Sequence, residues 1–128
     1  MTIDDVNETT DFSALKLNPE YFRIQSAKSI HIVTTKEVTY FEAEGSYTCF
    51  HFKTHHKFIS SLHFCHYRSF LIFPLFYQIH RDTMIKISEI EEYAFGRGGE
   101  VTMKDGAKLH VADKMKEGLL CILKGFPS

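Results

Sequence analysis

Hydrophobic and polar residues alternate with a period of two through much of the chain from Ser29 onward. In the segment "YTCFHFKT", Phe50 and Phe52 alternate with Cys49 and His51. Such alternation points one set of side chains into a core and is typical of β-strands. Similar segments rich in aromatic and β-branched residues are "SIHIVTT", "VTYFEAEG", "FISSL", "FYQIHRD", "MIKI", "EIEEYAF", "EVTMKD" and "KLHVA". We therefore predict antiparallel strands joined by short turns.

Two segments break this alternation and predict helices. The first, "SLHFCHYRSFLIF", has residues at helical spacing and is followed by Pro74, which would end a short helix. The second follows Asp113, where one helical face carries a predicted buried stripe of Met115, Leu119, Ile122 and Leu123. Before this second helix, "GRGG" and "DGA" predict turns between strands. The expected fold class is mostly β with two short helices.

The first 25 residues differ in charge from the rest of the chain. Five acidic and two basic side chains there give −3, against a formal net charge of −1 for all 128 residues, so the remainder carries +2. We predict that residues 1–25 form an acidic leader, partly disordered or a docking segment. Residues 26–128 then form one domain. Its mildly basic charge is compatible with DNA binding without requiring it.

Composition narrows the class of protein. Apolar residues make up 44% and aromatic residues 14% of the chain, which is too much apolar surface for a disordered protein. No apolar run approaches the ~20 residues of a membrane span, and "MTIDDVNETTD" does not resemble a signal peptide. The three cysteines are an odd number without zinc or redox spacing. We expect a cytoplasmic protein that is not associated with a membrane.

The tripeptide His80–Arg81–Asp82 matches the catalytic loop of protein kinases, but the context does not. The glycine-dense stretch "GRGGEV" lies downstream of it, and Ile87 stands where a kinase has its metal-binding asparagine. A kinase also needs roughly twice the length of one ordinary domain of ~100–150 residues. No motif ties a base and an orienting acid to the candidate nucleophiles Ser46, Cys49 and Cys65. We therefore predict that the chain is not an enzyme.

Histidine and cysteine are concentrated in one stretch of sixteen residues: His51, His55, His56, His63, Cys65 and His66. Structural zinc sites use two pairs of ligands at short spacing, and the pair His51 and His55 satisfies half of that pattern. Two interpretations stay open, a zinc or copper site and a set of surface or semi-buried histidines. We favour the second, and we predict no metal, no cofactor and no need for zinc in folding.

Four segments in order, "VTYFEAEGSYTCFHF", "FYQIHRDTMIKISEI", "VTMKDGAKLHV" and the closing helix, resemble the LytTR DNA-binding domain. The resemblance extends from about Ser29 to Leu123. It implies an elongated antiparallel β-strand fold with two short helices that contacts duplex DNA through loops, without a recognition helix. Domains of this family typically form the output half of bacterial response regulators in two-component signalling.

The resemblance also implies which residues contact DNA: Ser46, Tyr47, His80, Arg81, Lys86, Lys114 and Lys116. Arg81 can bind guanine O6 and N7 through two hydrogen bonds, or bind phosphate. Lys114 and Lys116 lie in a first helical turn, where the macrodipole disfavours cations and phosphate contact would offset that cost. The alternatives are that the lysines are solvated and that Tyr47 is half buried. The chain departs from the family pattern at Gln78, Asp82, Lys86 and Asp113.

From these observations we expect a stand-alone LytTR-like transcriptional regulator that binds specific double-stranded DNA. A homodimer on repeated sites is expected, with the signal coming from a separate sensor or receiver protein, because 25 residues cannot form a receiver domain. The alternative is a protein-interaction module on the same fold that has lost DNA binding. An Arg81–Asp82 ion pair would hold the guanidinium away from DNA.

Overall fold

A computed structural model describes residues 20–96 and 98–128, and this part of the chain contains ten strands and two α-helices. The strands are β1 (Tyr21–Gln25), β2 (Ile30–Thr34), β3 (Val38–Glu44), β4 (Tyr47–Phe52), β5 (Lys57–Ser60), β6 (Phe76–His80), β7 (Thr83–Lys86), β8 (Ile90–Ala94), β9 (Glu100–Met103) and β10 (Lys108–His110). The helices are α1 (Phe64–Arg68) and α2 (Asp113–Lys124). Single 3₁₀ turns precede β3 and β8, at Thr35–Glu37 and Ile87–Glu89.

The strands form three antiparallel sheets. The central sheet has five strands in the order β5–β4–β3–β7–β6, and β1–β2 and β8–β9–β10 form the two smaller sheets. All pairings are antiparallel, as the alternation predicted. The mostly β fold with two helices is therefore confirmed.

Each face of the central sheet carries its own apolar core, because successive residues of a strand point to opposite faces. On β3, Phe41 enters one core and Tyr40 the other. The first core continues into β1 and α1 through Phe22, Ile24, Phe64 and Tyr67. The second continues into β9, the residue after β10 and α2 through Val101, Met103, Val111 and Leu119. The central sheet is thus fixed from both sides.

The helix predictions are confirmed with different extents. The helix expected before Pro74 is only one turn and a half, Phe64–Arg68. In α2, Leu119 is fully buried while the other members of the predicted stripe are partly buried. The stripe still attaches α2 to the second core, through Met115 and Leu123.

The predicted leader lies mostly outside the described residues, which begin at Glu20. Its last five residues form β1, and Phe22 and Ile24 are buried in the first core. These five residues are therefore part of the folded unit, and the division of the chain at residue 25 stays a prediction. Within the described part, no helix is long and apolar enough to span a membrane.

Candidate DNA-binding surface

Two turns lie side by side at one end of the central sheet. The β3–β4 turn reverses at Gly45, whose φ of +62° is the left-handed conformation that glycine adopts readily. Glu42 of β3 is paired with Thr83 of β7, so the β6–β7 turn lies next to the β3–β4 turn. A hydrogen bond of 2.9 Å from the Ala43 N–H to the Asp82 carbonyl joins the two turns.

The start of α2 joins the same end of the sheet. The N–H of Ala112, immediately before α2, donates to the carbonyl of Ile79 near the end of β6 at 2.8 Å. The rings of His80 and His110 lie 6.3 Å apart, next to this connection. We call the surface formed by turn 44–47, turn 80–83 and the first turn of α2 the three-segment surface.

Arg81 projects from the three-segment surface into solvent, with 87% of its side chain exposed. Its Nε is 3.8 Å from an Asp82 carboxylate oxygen, and such a long, solvent-exposed ion pair holds the guanidinium weakly. The turn itself is better fixed, because the Gln78 amide donates to the Arg81 carbonyl at 3.3 Å. Arg81 is therefore available for a base or a phosphate.

Lys114 and Lys116 have different environments on α2. Lys114 is exposed, whereas Lys116 is largely covered and its Nζ lies 2.8 Å from Asp113. The Lys116 side chain also crosses Gly99 closely, since a Cβ on Gly99 would come 2.8 Å from the Lys116 Cε. The hydrogen bond and charge of Lys116 lower the pKa of Asp113. Asp113 thus offsets the Lys116 charge, and Lys114 is the more accessible cation.

Lys86 does not belong to this surface, contrary to its prediction as a DNA contact. It pairs with Phe76 at the far end of β6–β7, three residues or roughly 10 Å along β7 from Thr83. Only 5% of the residue is exposed. Burial, followed by the nearby charge of Lys53, lowers the pKa of Lys86. The Lys86 amine is therefore buried at the opposite end of β7 from Arg81.

The other predicted contacts reach the surface. Ser46 and Tyr47 are exposed in turn 44–47, so Tyr47 is not covered by the core. His80 is partly buried and accepts a 3.4 Å hydrogen bond from the Asp82 N–H. Glu44, Asp82 and Asp113 lie among the basic groups, and the three-segment surface therefore has mixed charge.

The histidines of residues 51–66 do not come together as one metal site. His63 accepts a hydrogen bond from the Cys65 N–H and caps α1, and His51 lies 2.6 Å from Glu42 on the neighbouring strand. The sequence analysis missed this cross-strand contact, since it depends on the β3–β4 register. Instead, the side chains of Glu42, Cys49 and His51 lie close together.

Residues 28–124 match the family described as the LytTr DNA-binding domain. A similar solved structure is the LytTr DNA-binding domain of a protein from Bacillus cereus described as a methyl-accepting/DNA response regulator. The TM-score is 0.68 at 16% identity, covering 84% of this chain and 98% of that chain, so this likeness supports the fold. No curated protein matches the chain. The family match covers most of the chain, and the chain belongs to the LytTR family of DNA-binding domains.

Proposed function

We propose that the chain binds specific double-stranded DNA through the three-segment surface and acts as a LytTR-type transcriptional regulator. The observation that carries the proposal is the convergence of exposed Arg81, exposed Lys114 and the Ser46–Tyr47 turn at one end of the sheet. Contacts from two turns and one helix start on one surface can follow a duplex without a recognition helix.

The three segments suit different tasks on DNA. Arg81, with its planar fork of donors, is suited to read guanine in the major groove. Lys114 lies in the first turn of α2. Ala112, immediately before the helix, offers no side-chain acceptor to the first N–H groups. These N–H groups and the Lys114 ammonium group therefore favour phosphate together. Ser46 and Tyr47 supply hydroxyl groups for backbone contacts.

The charge of the surface argues for two copies on one site. Arg81 and Lys114 are its accessible cations among the described residues, and acidic Glu44, Asp82 and Asp113 lie beside them. Few phosphate contacts give modest affinity, because each contributes roughly −0.9 to the slope of log K against log salt. Binding of two copies to neighbouring repeats would raise the overall affinity.

The proposal retains three expectations from the sequence: stand-alone action, a separate sensor or receiver protein as the input, and a bacterial cytoplasmic setting. They rest on the family's typical role as the output half of response regulators. None of them is needed for DNA binding itself.

Selection from a random pool of DNA duplexes tests the proposed function. We expect enrichment of a repeated motif, binding of two copies to it, and affinity that falls as salt is raised. Absence of both enrichment and low-salt binding would contradict the proposal.

The alternative is a protein-interaction module, and one observation favours it. An apolar groove lies away from the three-segment surface, lined by Phe73, Pro74, Ile87, Cys121, Ile122, Gly125 and Phe126. Exposed apolar surface of this kind often marks a protein contact. Failure of the DNA selection would make this groove the candidate site.

A further inference from the structure

A carboxylate, a thiol and an imidazole meet on the central sheet near turn 44–47. Cys49 is paired with Glu42 on the neighbouring strand, and His51 lies two residues further along the same face of β4. One ligand atom from each residue lies within 4.8 Å of the other two. Adjacent strands in this register thus bring together three residue types that bind zinc.

The distance between sulfur and nitrogen fits a shared metal ion. Zn–S bonds of about 2.3 Å and Zn–N bonds of about 2.0–2.1 Å at a tetrahedral angle place the two ligand atoms roughly 3.5 Å apart. Cys49 Sγ and His51 Nε2 are 3.6 Å apart. These two ligands would need almost no movement.

The carboxylate would need to move slightly. Glu42 Oε2 is 2.6 Å from His51 Nε2, a hydrogen-bond distance, whereas two ligands of one zinc ion lie roughly 3.4 Å apart. The Glu42 side chain is one-third exposed and has flexible torsions, so it can open by this amount. A cation between the two groups would replace their hydrogen bond.

The surroundings fix the imidazole and the thiol. The Tyr40 ring stacks on His51 at 4.0 Å with an angle of 10° between the planes, which restrains the orientation of the imidazole. Cys49 is fully buried, and burial, with the nearby carboxylates Glu44 and Glu42, raises its pKa to about 11. The thiol therefore keeps its proton at neutral pH until a cation displaces it. Lys57 is the nearby positive charge that opposes a cation.

We propose that Glu42, Cys49 and His51 bind a divalent cation of the zinc class, with water or Glu44 in the remaining position. As the metal–sulfur bond forms, the Cys49 thiol proton passes to solvent, and no oxidation occurs. A cation there would also neutralise carboxylates next to turn 44–47. The proposal is independent of DNA binding, and it is tested on the protein alone.

The test is titration of the metal-free, reduced protein with Co²⁺, followed by displacement with Zn²⁺. A tetrahedral thiolate site gives a sulfur-to-cobalt charge-transfer band and intense visible bands. We expect one equivalent of Co²⁺ to produce both, and Zn²⁺ to abolish them. Wild-type protein that shows no charge-transfer band would overturn the proposal.

Variants assign the ligands. Cys49→Ser should abolish the charge-transfer band, whereas Cys65→Ser, which changes an exposed thiol, should retain it. Glu42→Gln and His51→Gln should each weaken Zn²⁺ binding by more than about tenfold, since even outer partners of metal ligands contribute that much. These two polar variants keep the test decisive if Cys49→Ser fails to fold. Unchanged Zn²⁺ affinity in both, or a band that depends on Cys65, would show that the site is wrong.

Discussion

The backbone of Arg81 is fixed within its turn, while its guanidinium group remains in solvent. The Arg81 carbonyl accepts from Gln78, and the ion pair with Asp82 is long and exposed. We predict that Arg81→Ala lowers affinity for the selected site by roughly 1–3 kcal/mol and leaves random DNA almost unaffected, because a base contact is lost. Fluorescence titration on both duplexes measures the difference.

Arg81→Lys is the matched control, since it keeps the charge but loses the two-donor fork. It should lose discrimination nearly as fully as Arg81→Ala. Asp82→Ser should tighten binding to both duplexes by removing repulsion of phosphate. Equal weakening of both duplexes by Arg81→Ala would assign Arg81 to phosphate instead of a base.

Lys114 and Lys124 allow a comparison on one helix. Both are exposed, but they lie ten residues or about 15 Å apart along α2, and only Lys114 is on the three-segment surface. We predict that Lys114→Ala weakens binding to every duplex and flattens the slope of log K against log salt by about one unit, whereas Lys124→Ala changes neither. Salt titrations of the two variants decide this. Equal effects would indicate attraction by overall charge.

Single residues were the hardest feature to predict from the sequence. Lys86 was expected to contact DNA because of its position in a motif, yet it is buried at the other end of β7. Neighbours in sequence can point to opposite faces and ends of a strand, and only the strand pairing decides which. Arg81 and Lys114, also expected to contact DNA, are exposed, and their DNA contact stays a prediction.

At the scale of elements, α2 approaches β6 closely at one point. Gly118 faces Tyr77 of β6, and a Cβ on Gly118 would overlap the Tyr77 hydroxyl group. That hydroxyl group donates to the Met115 carbonyl at 2.9 Å. A side chain at position 118 would therefore have to displace the Tyr77 hydroxyl group and its hydrogen bond, although alanine is the better helix former.

We predict that Gly118→Ala lowers the free energy of unfolding by about 1–3 kcal/mol through overpacking, despite a gain in helix propensity of up to about 1 kcal/mol. Denaturant unfolding followed by circular dichroism measures the change. Gly96→Ala is the control, because its Cβ would meet open space and its φ is not positive. A Gly118→Ala variant as stable as wild type would show that Tyr77 can move aside without cost.

Elements were predicted better than their contacts, since alternation and turn residues act locally. The strand character of "VTYFEAEG" and "YTCFHFKT" follows from period two, and the "DGA" hairpin from its turn residues. The strand Tyr21–Gln25 was placed in the leader, although Phe22 and Ile24 alternate within it. Two alternating positions beside acidic residues and Pro19 are too short a pattern to predict a strand.

On the scale of the whole molecule, the three-segment surface depends on the register of the central sheet. The pairing of Glu42 with Thr83 joins residues 41 positions apart, and the bond from Ala112 to Ile79 joins residues 33 positions apart. No local pattern in the sequence specifies such contacts; only the order of motifs shared with the LytTR family pointed to them. The group of Glu42, Cys49 and His51 depends on the β3–β4 register in the same way.

Two cores, one on each face of the sheet, explain why the fold should not depend on metal. They bury Phe41, Phe50 and Phe76 on one face and Ile79, Ile85 and Leu119 on the other. Each fully buried side chain of this kind contributes roughly 1.5–3 kcal/mol, and no described cluster of metal ligands lies among them. We therefore predict that a chelator leaves the circular dichroism spectrum unchanged, and that the unfolding midpoint shifts by no more than the binding energy of any cation it removes.

Added Zn²⁺ should instead raise the midpoint of the chelator-treated, dialysed protein. A ligand that binds only the folded state stabilises it by about 2.7 kcal/mol at a concentration of 100 Kd. Binding by Glu42, Cys49 and His51 would therefore appear as a shift that Cys65→Ser retains and Glu42→Gln reduces. Loss of structure on chelation would mean that metal is part of the fold. In that case β3 and β4 would need a ligand bridge in addition to their paired backbones and the two cores.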